Sequence, residues 1–294
     1  PCPQSYNPAS GYIVTANNAV AGSDYPYHIA DSFAFGYRAK RISDLIETSP
    51  GPIDIEYFQQ MHGDNYNIGA EEMMPYLLSV DFEDEELQDM QAWLADWDLR
   101  EDMDSPQAAF YNIFFKNLLL RTFDEMPEDD MPGGGGHWYE IMRTLVSSPN
   151  SAWWDILSTT GLEARDEIVT MAFEDAIKEA KKLMGSDRNM WSWGEIHTLT
   201  YEHQVMSNFP LINNAFERGP FQTAGGASTV NNTWWMSSSD GYIVEGVIPS
   251  ERMIADLSNL SNTLLIHPAG QSGHPLVRRA SRRLPGKAHW WLSR

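Results

Sequence analysis

The order of hydrophobic patterns along the chain constrains its fold more than any other feature. Residues 11–16 form a short apolar run, β-branched in part, which is typical of a strand. Apolar residues then recur at helical spacing through a long block, residues 31–205. Strand-like runs return over residues 241–267. This order predicts an α+β fold in which helices are inserted between parts of one sheet.

Some boundaries within the helical block are marked by their own residues. Ser105 is a favourable N-cap, and Pro106 after it suits the first helical position, so we expect a helix to begin there. Proline and glycine at 50–52 end the first helix of the block. The other predicted helices are 31–46, 53–61, 71–80, 83–97 and 162–184, and the predicted later strands are 241–247, 252–257 and 264–267.

The chain is strongly acidic. Its 294 residues carry 20 Lys and Arg against 41 Asp and Glu, which gives a net charge of −21. Such a surface repels phosphate backbones and anionic lipid headgroups, so we expect no nucleic-acid partner. No apolar run reaches the length of a membrane-spanning helix, so no membrane insertion is expected.

The cysteine count and the first residues bear on processing. Cys2 is the only cysteine, which rules out an internal disulfide and a cysteine-based zinc site. The first residues have neither a basic nor an apolar region, so they do not form a signal peptide. The chain begins with Pro1 rather than Met, and we expect it to be a piece cut from a longer reading frame.

The last residues, 275–294, differ in charge from the rest of the chain. They contain six basic residues and no acid, on an otherwise acidic protein. We expect residues 1–274 to form the folded body and 275–294 to be a separate basic tail. The tail is either a docking segment or a reading-frame artefact, and the artefact is our preferred interpretation.

Two neighbouring asparagines follow the first apolar run. A carboxamide at the end of a strand, as at Asn17 and Asn18, presents N–H donors at an edge. A reaction that builds negative charge on a carbonyl oxygen needs such donors. Taken alone, these residues have a simpler interpretation, which is a strand, a turn and a helix capped by Asp31.

A longer series of motifs runs in order through the chain. They are residues 7–13 (NPASGYI), 17–18 (NN), 24–26 (DYP), 38–42 (RAKRI), 193–198 (WGEIHT), 225–232 (GGASTVNN), 250–257 (SERMIADL) and 270–275 (GQSGHP). Together they resemble the penicillin acylase family of N-terminal-nucleophile amidohydrolases. After the last motif the chain departs from the family pattern, where the basic tail begins.

The resemblance implies a four-layer αββα core with a large helical insertion. Residues 1–274 would be the C-terminal portion of the β chain, which carries the nucleophile. That nucleophile is a Ser freed when a precursor cuts itself, and it would lie upstream of Pro1. The partners would be the α chain and the upstream part of the β chain from the same precursor. The family also implies a periplasmic or secreted protein.

The resemblance assigns two catalytic residues and one metal ligand. Asn17 corresponds to the oxyanion donor, and Arg41 to the active-site arginine, with Arg38 the neighbour that could be confused with it. Asp31 matches a calcium ligand of some members, and no organic cofactor is implied. Calcium takes six to eight oxygen ligands, so its other ligands would lie upstream.

Four more polar residues fall in the motifs. We interpret His197 and His274 as packing or hydrogen-bonding residues rather than zinc ligands, since the chain has no His-Glu-x-x-His pattern. Asn231 and Asn232 are interpreted as amides of a turn or a core network, with a place in the acyl pocket as the alternative.

These residues predict an amidohydrolase that cleaves a small linear amide with a hydrophobic acyl group, either a β-lactam side chain or an acyl-homoserine lactone. The acyl pocket would be built largely from residues outside this chain. One alternative is a non-catalytic, truncated fragment. Another is a carbohydrate-active enzyme with paired carboxylates, since the chain has 11 Trp and many acids.

Overall fold

Helices dominate the structure, and short antiparallel ladders accompany them. The computed structural model describes residues 2–127, 132–203, 205–236, 241–244 and 248–267. Its mixture of helices and small sheets confirms the predicted α+β class. The helices are α1 Tyr37–Glu47, α2 Ile55–His62, α3 Ile68–Leu78, α4 Glu85–Ala95, α5 Pro106–Thr122, α6 Gly136–Val146, α7 Arg165–Met184, α8 Trp193–Ile196 and α9 Asn213–Phe216.

The core forms around α5, which packs along α7. Apolar side chains surround α5 on every side, as expected of a helix at the centre of a domain. Phe110 and Phe114 on α5 both meet Phe173 on α7 edge to face, with ring centroids 5.1 and 5.7 Å apart. Rings in this arrangement stabilise one another beyond the area they bury, so these contacts help to hold α5 against α7.

Polar side chains fix several helix starts. Ser105 Oγ accepts a hydrogen bond from the N–H of Ala108 at 3.1 Å, which confirms the predicted N-cap and the start of α5 at Pro106. Asn67 caps α3 in the same way, through the N–H of Ala70 at 2.8 Å. These bonds satisfy backbone donors that have no partner inside a helix.

Within the described residues, the strands form two separate ladders. In the first, β1 (Thr198–Tyr201) runs antiparallel to β2 (Arg218–Gln222), with Leu199 opposite Phe221 and a register shift before Tyr201. In the second, β3 (Arg252–Ile254) pairs antiparallel with β4 (Leu264–Ile266), with Met253 opposite Leu265. The sequence predicted β3 and β4, though with longer bounds, but it did not predict β1 or β2.

The first predicted strand is absent from the structure. Residues 11–16 have no strand assignment and belong to an irregular segment, residues 2–36, here called the N-terminal arm. Ala16 is the only buried residue of the arm. The first predicted helix is shorter than expected, because α1 begins at Tyr37. Asp31 therefore does not cap a helix, which corrects that interpretation.

Three irregular segments form a polar platform, defined here as residues 64–67, 99–102 and 223–232. The N–H of Glu101 donates to the carbonyl of Asn65 at 2.9 Å, and Tyr66 and Arg100 form an antiparallel bridge. The N–H of Asn231 donates to the carbonyl of Asp64 at 3.0 Å. These backbone bonds join parts of the chain that are far apart in sequence.

Two predicted segments fall partly or wholly outside the described residues. Within the predicted strand 241–247 only 241–244 are described, and there Val244 makes isolated bridges to Leu199 and Trp235. The predicted tail, 275–294, and His274 lie outside the described residues. Across the described ranges, every helix is too short or too polar to cross a bilayer.

Candidate active site

Asn17 lies in a tight turn of the N-terminal arm with its side chain held in one orientation. Its φ is +63°, in the left-handed region, which asparagine tolerates better than most residues. Its carbonyl accepts a hydrogen bond from the N–H of Ala34 at 2.8 Å. Its Oδ1 accepts one from Arg38 Nη2, also at 2.8 Å. The turn and these two bonds fix both the backbone and the carboxamide of this residue.

The bond to Arg38 decides which way the Asn17 amide faces. A guanidinium has only donors, so the group facing it must be the carbonyl oxygen of the amide. The Asn17 Nδ2, with its two N–H groups, therefore points away from Arg38. Asn17 is exposed, so these N–H groups are accessible to a bound molecule. An oxyanion donor needs N–H groups that are accessible in this way, and the role of Asn17 as that donor stays a prediction.

Arg38 occupies the first turn of α1. Burial lowers its pKa, but a guanidinium remains charged at neutral pH. The hydrogen bond from Arg38 therefore ties the turn at Asn17, within the arm, to the first turn of α1. Sequence comparison pointed to Arg41 as the active-site arginine, and Arg38 is the one that contacts Asn17.

Arg41 has different partners. Its Nε and Nη2 donate to the two carboxylate oxygens of Asp64 at 2.7 and 2.8 Å. Its guanidinium carbon lies 4.5 Å from the centre of the Tyr66 ring. Hydrogen bonding to Asp64 raises the pKa of Arg41. The structure thus holds Arg41 on the polar platform, and its role as a catalytic residue stays a prediction.

Asp31 does not form a metal site with the residues around it. Its side chain is fully exposed, and the nearest charged partner is His28, whose Nε2 lies 3.4 Å from Asp31 Oδ1. The described residues contain no group of three or more His, Cys, Asp or Glu able to hold a metal ion. One carboxylate does not meet the coordination that calcium needs. Calcium binding at Asp31 therefore stays a prediction.

A cavity of about 790 Å³ lies beside Arg38. Aromatic side chains form much of its wall, and the Oδ1 of Asn232 is buried without a hydrogen-bond partner among the described residues. A buried acceptor of this kind is costly unless something donates to it. Residues that line the cavity include Phe33, Phe35, Trp138, Trp234 and Met236.

A second polar cluster lies inside the polar platform, around Glu101. Its Oε1 accepts hydrogen bonds from Asn112 and Asn67 at 2.8 and 2.9 Å, and the side chain is completely buried. Burial raises the pKa of Glu101 to about 7, although both amides oppose the shift. Trp235 Nε1 donates to Asn112 Oδ1 at 2.8 Å, which extends the cluster into the core.

His197 is a structural residue, as predicted. It is fully buried, stacks on Trp193 with ring centroids 4.2 Å apart, and its Nδ1 lies 2.6 Å from the carbonyl of Tyr242. Burial lowers the pKa of His197 to about 4, so the ring is neutral at physiological pH. Asn231 is likewise a core amide, donating to Asn65 Oδ1 at 3.0 Å.

Sequence reasoning missed Asp64 and Glu101. No motif contains either one, and their partners lie far from them along the chain. Acids are abundant in this protein, so an acid carries little information by itself.

Comparison with known proteins gives the family. Residues 1–283 match the family model described as penicillin amidase. The chain belongs to the penicillin amidase family. The match includes the first nine residues of the predicted tail, 275–283.

Two relatives of this chain have names that agree with the family assignment. Acyl-homoserine lactone acylase QuiP of Pseudomonas fluorescens strain Pf-5 is 24% identical over 312 residues, which cover 99% of this chain and 37% of the relative. Penicillin acylase 2 proenzyme of Pseudomonas sp. strain SE83 is 23% identical over 274 residues, covering 93% of this chain and 35% of the relative. The chain thus spans little more than a third of the length of these relatives.

Proposed function

We propose that this chain is part of an amidohydrolase of the penicillin acylase type and that Asn17 is its oxyanion donor. The orientation of the Asn17 carboxamide carries the proposal. Arg38 occupies its oxygen, so its two N–H groups face outward from an exposed turn. Family membership and the names of the relatives support acylase chemistry.

The reaction follows from the chemistry of an N-terminal serine. The serine would come from the upstream part of the β chain, and its own α-amino group, with a pKa of about 7.7–8, accepts the hydroxyl proton. Serine Oγ attacks the amide carbonyl, and Asn17 Nδ2 donates to the oxygen that becomes negative. The amine leaves with the proton, and water then hydrolyses the acyl-enzyme.

The substrate class is a small linear amide with a hydrophobic acyl group. The relatives are named for a penicillin and for acyl-homoserine lactones, and both are amides of this kind. The cavity beside Arg38 has room for part of such a molecule, and its aromatic wall and few polar atoms are typical of ligand sites.

The wider assembly is part of the same proposal. In it, the chain contributes to a four-layer αββα core completed by the α chain and the upstream β segment of one precursor. The name of one relative, a proenzyme, is consistent with a precursor. A periplasmic or secreted location and a structural calcium ion at Asp31 rest on the family resemblance alone.

The experiment that tests the proposal is replacement of Asn17 in the complete protein. Removing one oxyanion donor costs about 10²–10³ in turnover, so Asn17→Ala should lower kcat by that factor. Asn17→Asp keeps the shape of the side chain but has no N–H, and it should be as slow. Hydrolysis of a phenylacetyl amide and of an acyl-homoserine lactone would be followed for each variant.

The control is Asn189→Ala, which removes an exposed carboxamide from a different part of the chain. It should leave kcat within about twofold, since surface changes away from a site have small effects. Normal turnover by both Asn17 variants would rule out the proposed role of this residue. Release of sugar rather than acid from a substrate panel would favour the carbohydrate-active alternative.

A further inference from the structure

Helix α1 carries Arg38, yet apolar packing holds this helix only weakly. Tyr37 is its only buried residue, and its N-cap, Gly36, offers no side-chain hydrogen bond. Most of its other side chains are half-buried. Polar contacts must therefore supply much of what fixes α1 to the body of the protein.

The strongest of these contacts is the fork between Arg41 and Asp64. Arg41 Nε donates to Asp64 Oδ1 and Arg41 Nη2 donates to Asp64 Oδ2, which is the bidentate arrangement that fixes orientation as well as distance. The Asp64 side chain is only 7% exposed, and that of Arg41 is 20% exposed. Arg100 adds a further contact, with its Nη1 at 3.4 Å from Asp64 Oδ2.

Asp64 stands on a rigid base. Its carbonyl accepts from the N–H of Asn231, and the neighbouring Asn65 is bonded through its backbone to Glu101 and through its side chain to Asp102 at 2.6 Å. The polar platform thus gives the carboxylate of Asp64 a fixed position. Arg41, and with it α1, is located by that position.

Arg38 and Arg41 are three residues apart, so they lie on neighbouring positions of one helix face. A shift of α1 at Arg41 would move Arg38 with it, because one helical turn is rigid. Arg38 in turn orients the Asn17 carboxamide. Hydrogen bonds therefore connect Asp64 to Arg41 and Arg38 to Asn17, and the backbone of α1 connects the two arginines.

We propose that Asp64 is a positioning residue for the oxyanion donor, acting through Arg41 and Arg38. The inference rests on the proposed function of Asn17 and adds a residue that no sequence motif contains. Asp64 bonds Arg41 rather than Asn17, so its effect on Asn17 is indirect. Its effect is to hold the Asn17 N–H groups where the developing charge needs them.

The test measures kcat and KM separately for Asp64→Asn in the complete protein. The substitution keeps the shape of the side chain and removes the charge that binds Arg41. A displacement of about 1 Å can cost up to about 10² in rate, and we expect kcat to fall about tenfold or more with KM within about twofold. Asp175→Asn is the matched control, because Asp175, on α7, accepts from Nε and Nη2 of Arg121 and lies outside the polar platform. It should leave kcat near the wild-type value.

A double-mutant cycle with Arg38→Met separates positioning from a general loss of structure. If Asp64 acts through Arg38, adding Asp64→Asn to Arg38→Met should cause no further fall in kcat. Arg41→Lys gives a second entry to the same cycle if Asp64→Asn does not fold, since it keeps the charge and loses the fork. The inference would be overturned if Asp64→Asn or Arg41→Lys lowered kcat by the same factor with and without Arg38→Met. An unchanged kcat in Asp64→Asn would overturn it as well.

If the complete wild-type protein hydrolyses no amide, crystal structures of the variants can still test whether Asp64 positions Asn17. That outcome removes the proposed function but leaves the geometry to be tested. In Asp64→Asn the Arg38–Asn17 bond of 2.8 Å should be lost, and in Asp175→Asn it should remain. Retention of the bond in Asp64→Asn would contradict the positioning role.

Discussion

The N-terminal arm and the helical core use similar apolar side chains in opposite ways. In the arm, Tyr6 is 96% and Ile13 62% exposed, whereas Phe110 and Phe173 in the core are completely buried. The core is located by packing, and the arm by a few polar contacts, chief among them that of Asn17 with Arg38. The candidate site lies where the arm meets the core, with Asn17 in the arm and Arg38 on α1. The position of Asn17 relative to the core therefore depends on α1.

Exposed apolar side chains in the arm also fit the proposed assembly. A monomeric protein seldom exposes many such groups together, and where it does they mark an interface. The upstream part of the precursor, if the proposal is correct, would cover them. The same residues that leave the arm unsupported in this chain would then help to hold it in the complete protein.

The largest expected difference between the regions is in the cost of removing an aromatic ring. Phe173→Ala opens a cavity in the core and should lower the free energy of unfolding by about 3–5 kcal/mol. Phe33→Ala removes a ring of the arm that is 38% exposed, and should change the free energy of unfolding by less than about 0.5 kcal/mol. Urea unfolding followed by helical circular dichroism measures both. Similar losses in the two variants would mean that the arm is packed as firmly as the core.

A second test concerns the buried acid of the core. The unfolded chain ionises Glu101 near pH ~4.3, whereas burial raises the native pKa to about 7. Between these values the native state binds the proton and the unfolded state does not, so stability falls as pH rises and levels off above 7.

Glu101→Gln has no proton to lose, so its stability should rise relative to wild type by about 3 kcal/mol between pH 4 and pH 8. Unfolding midpoints in a pH series measure this difference. Glu83→Gln changes an exposed acid and should show no such trend. A flat difference for Glu101→Gln would show that the carboxylate is solvated in the native state.

The smallest expected effect is the loss of a hydroxyl. Ser105 Oγ caps α5, and Ser105→Ala should cost about 1 kcal/mol of stability. Ser10 Oγ also bonds to the backbone, at the carbonyl of Tyr12, but in the exposed arm. Ser10→Ala should therefore be close to neutral in thermal unfolding. A loss of equal size at Ser10 would mean that the turns of the arm contribute to global stability.

The sequence predicted best those features that depend on residues close together in the chain, such as helix caps and helix bounds. The cap at Ser105 was correct, and α7 was predicted over 162–184 and is found at Arg165–Met184. The predicted strand at 11–16 was not found, because an apolar run becomes a strand only when another edge pairs with it. β2 was missed because Gly219 and Pro220 argue against a strand.

The candidate site shows the same limit. Asn17 was identified from a motif, and the structure adds the direction of its amide, which no motif contains. Arg38 and Arg41 are both basic residues of one helix, so sequence alone could not say which meets Asn17 and which meets Asp64. That choice depends on where α1 lies against the polar platform, which is decided by residues far away in the chain.

The run of four glycines at 133–136 illustrates how unequal identical residues can be. A Cβ atom on Gly134 would lie 2.4 Å from the ring of Trp235, whereas one on Gly136 would meet nothing closer than a carbonyl at 3.9 Å. Gly134 is also bonded through its N–H to the carbonyl of Trp235 at 3.1 Å. In a library that randomises this run, Gly134 should accept no other residue, while Gly136, inside the first turn of α6, should accept many. A stretch that looks like a uniform spacer in the sequence therefore has one position that cannot be exchanged and one that is open to engineering.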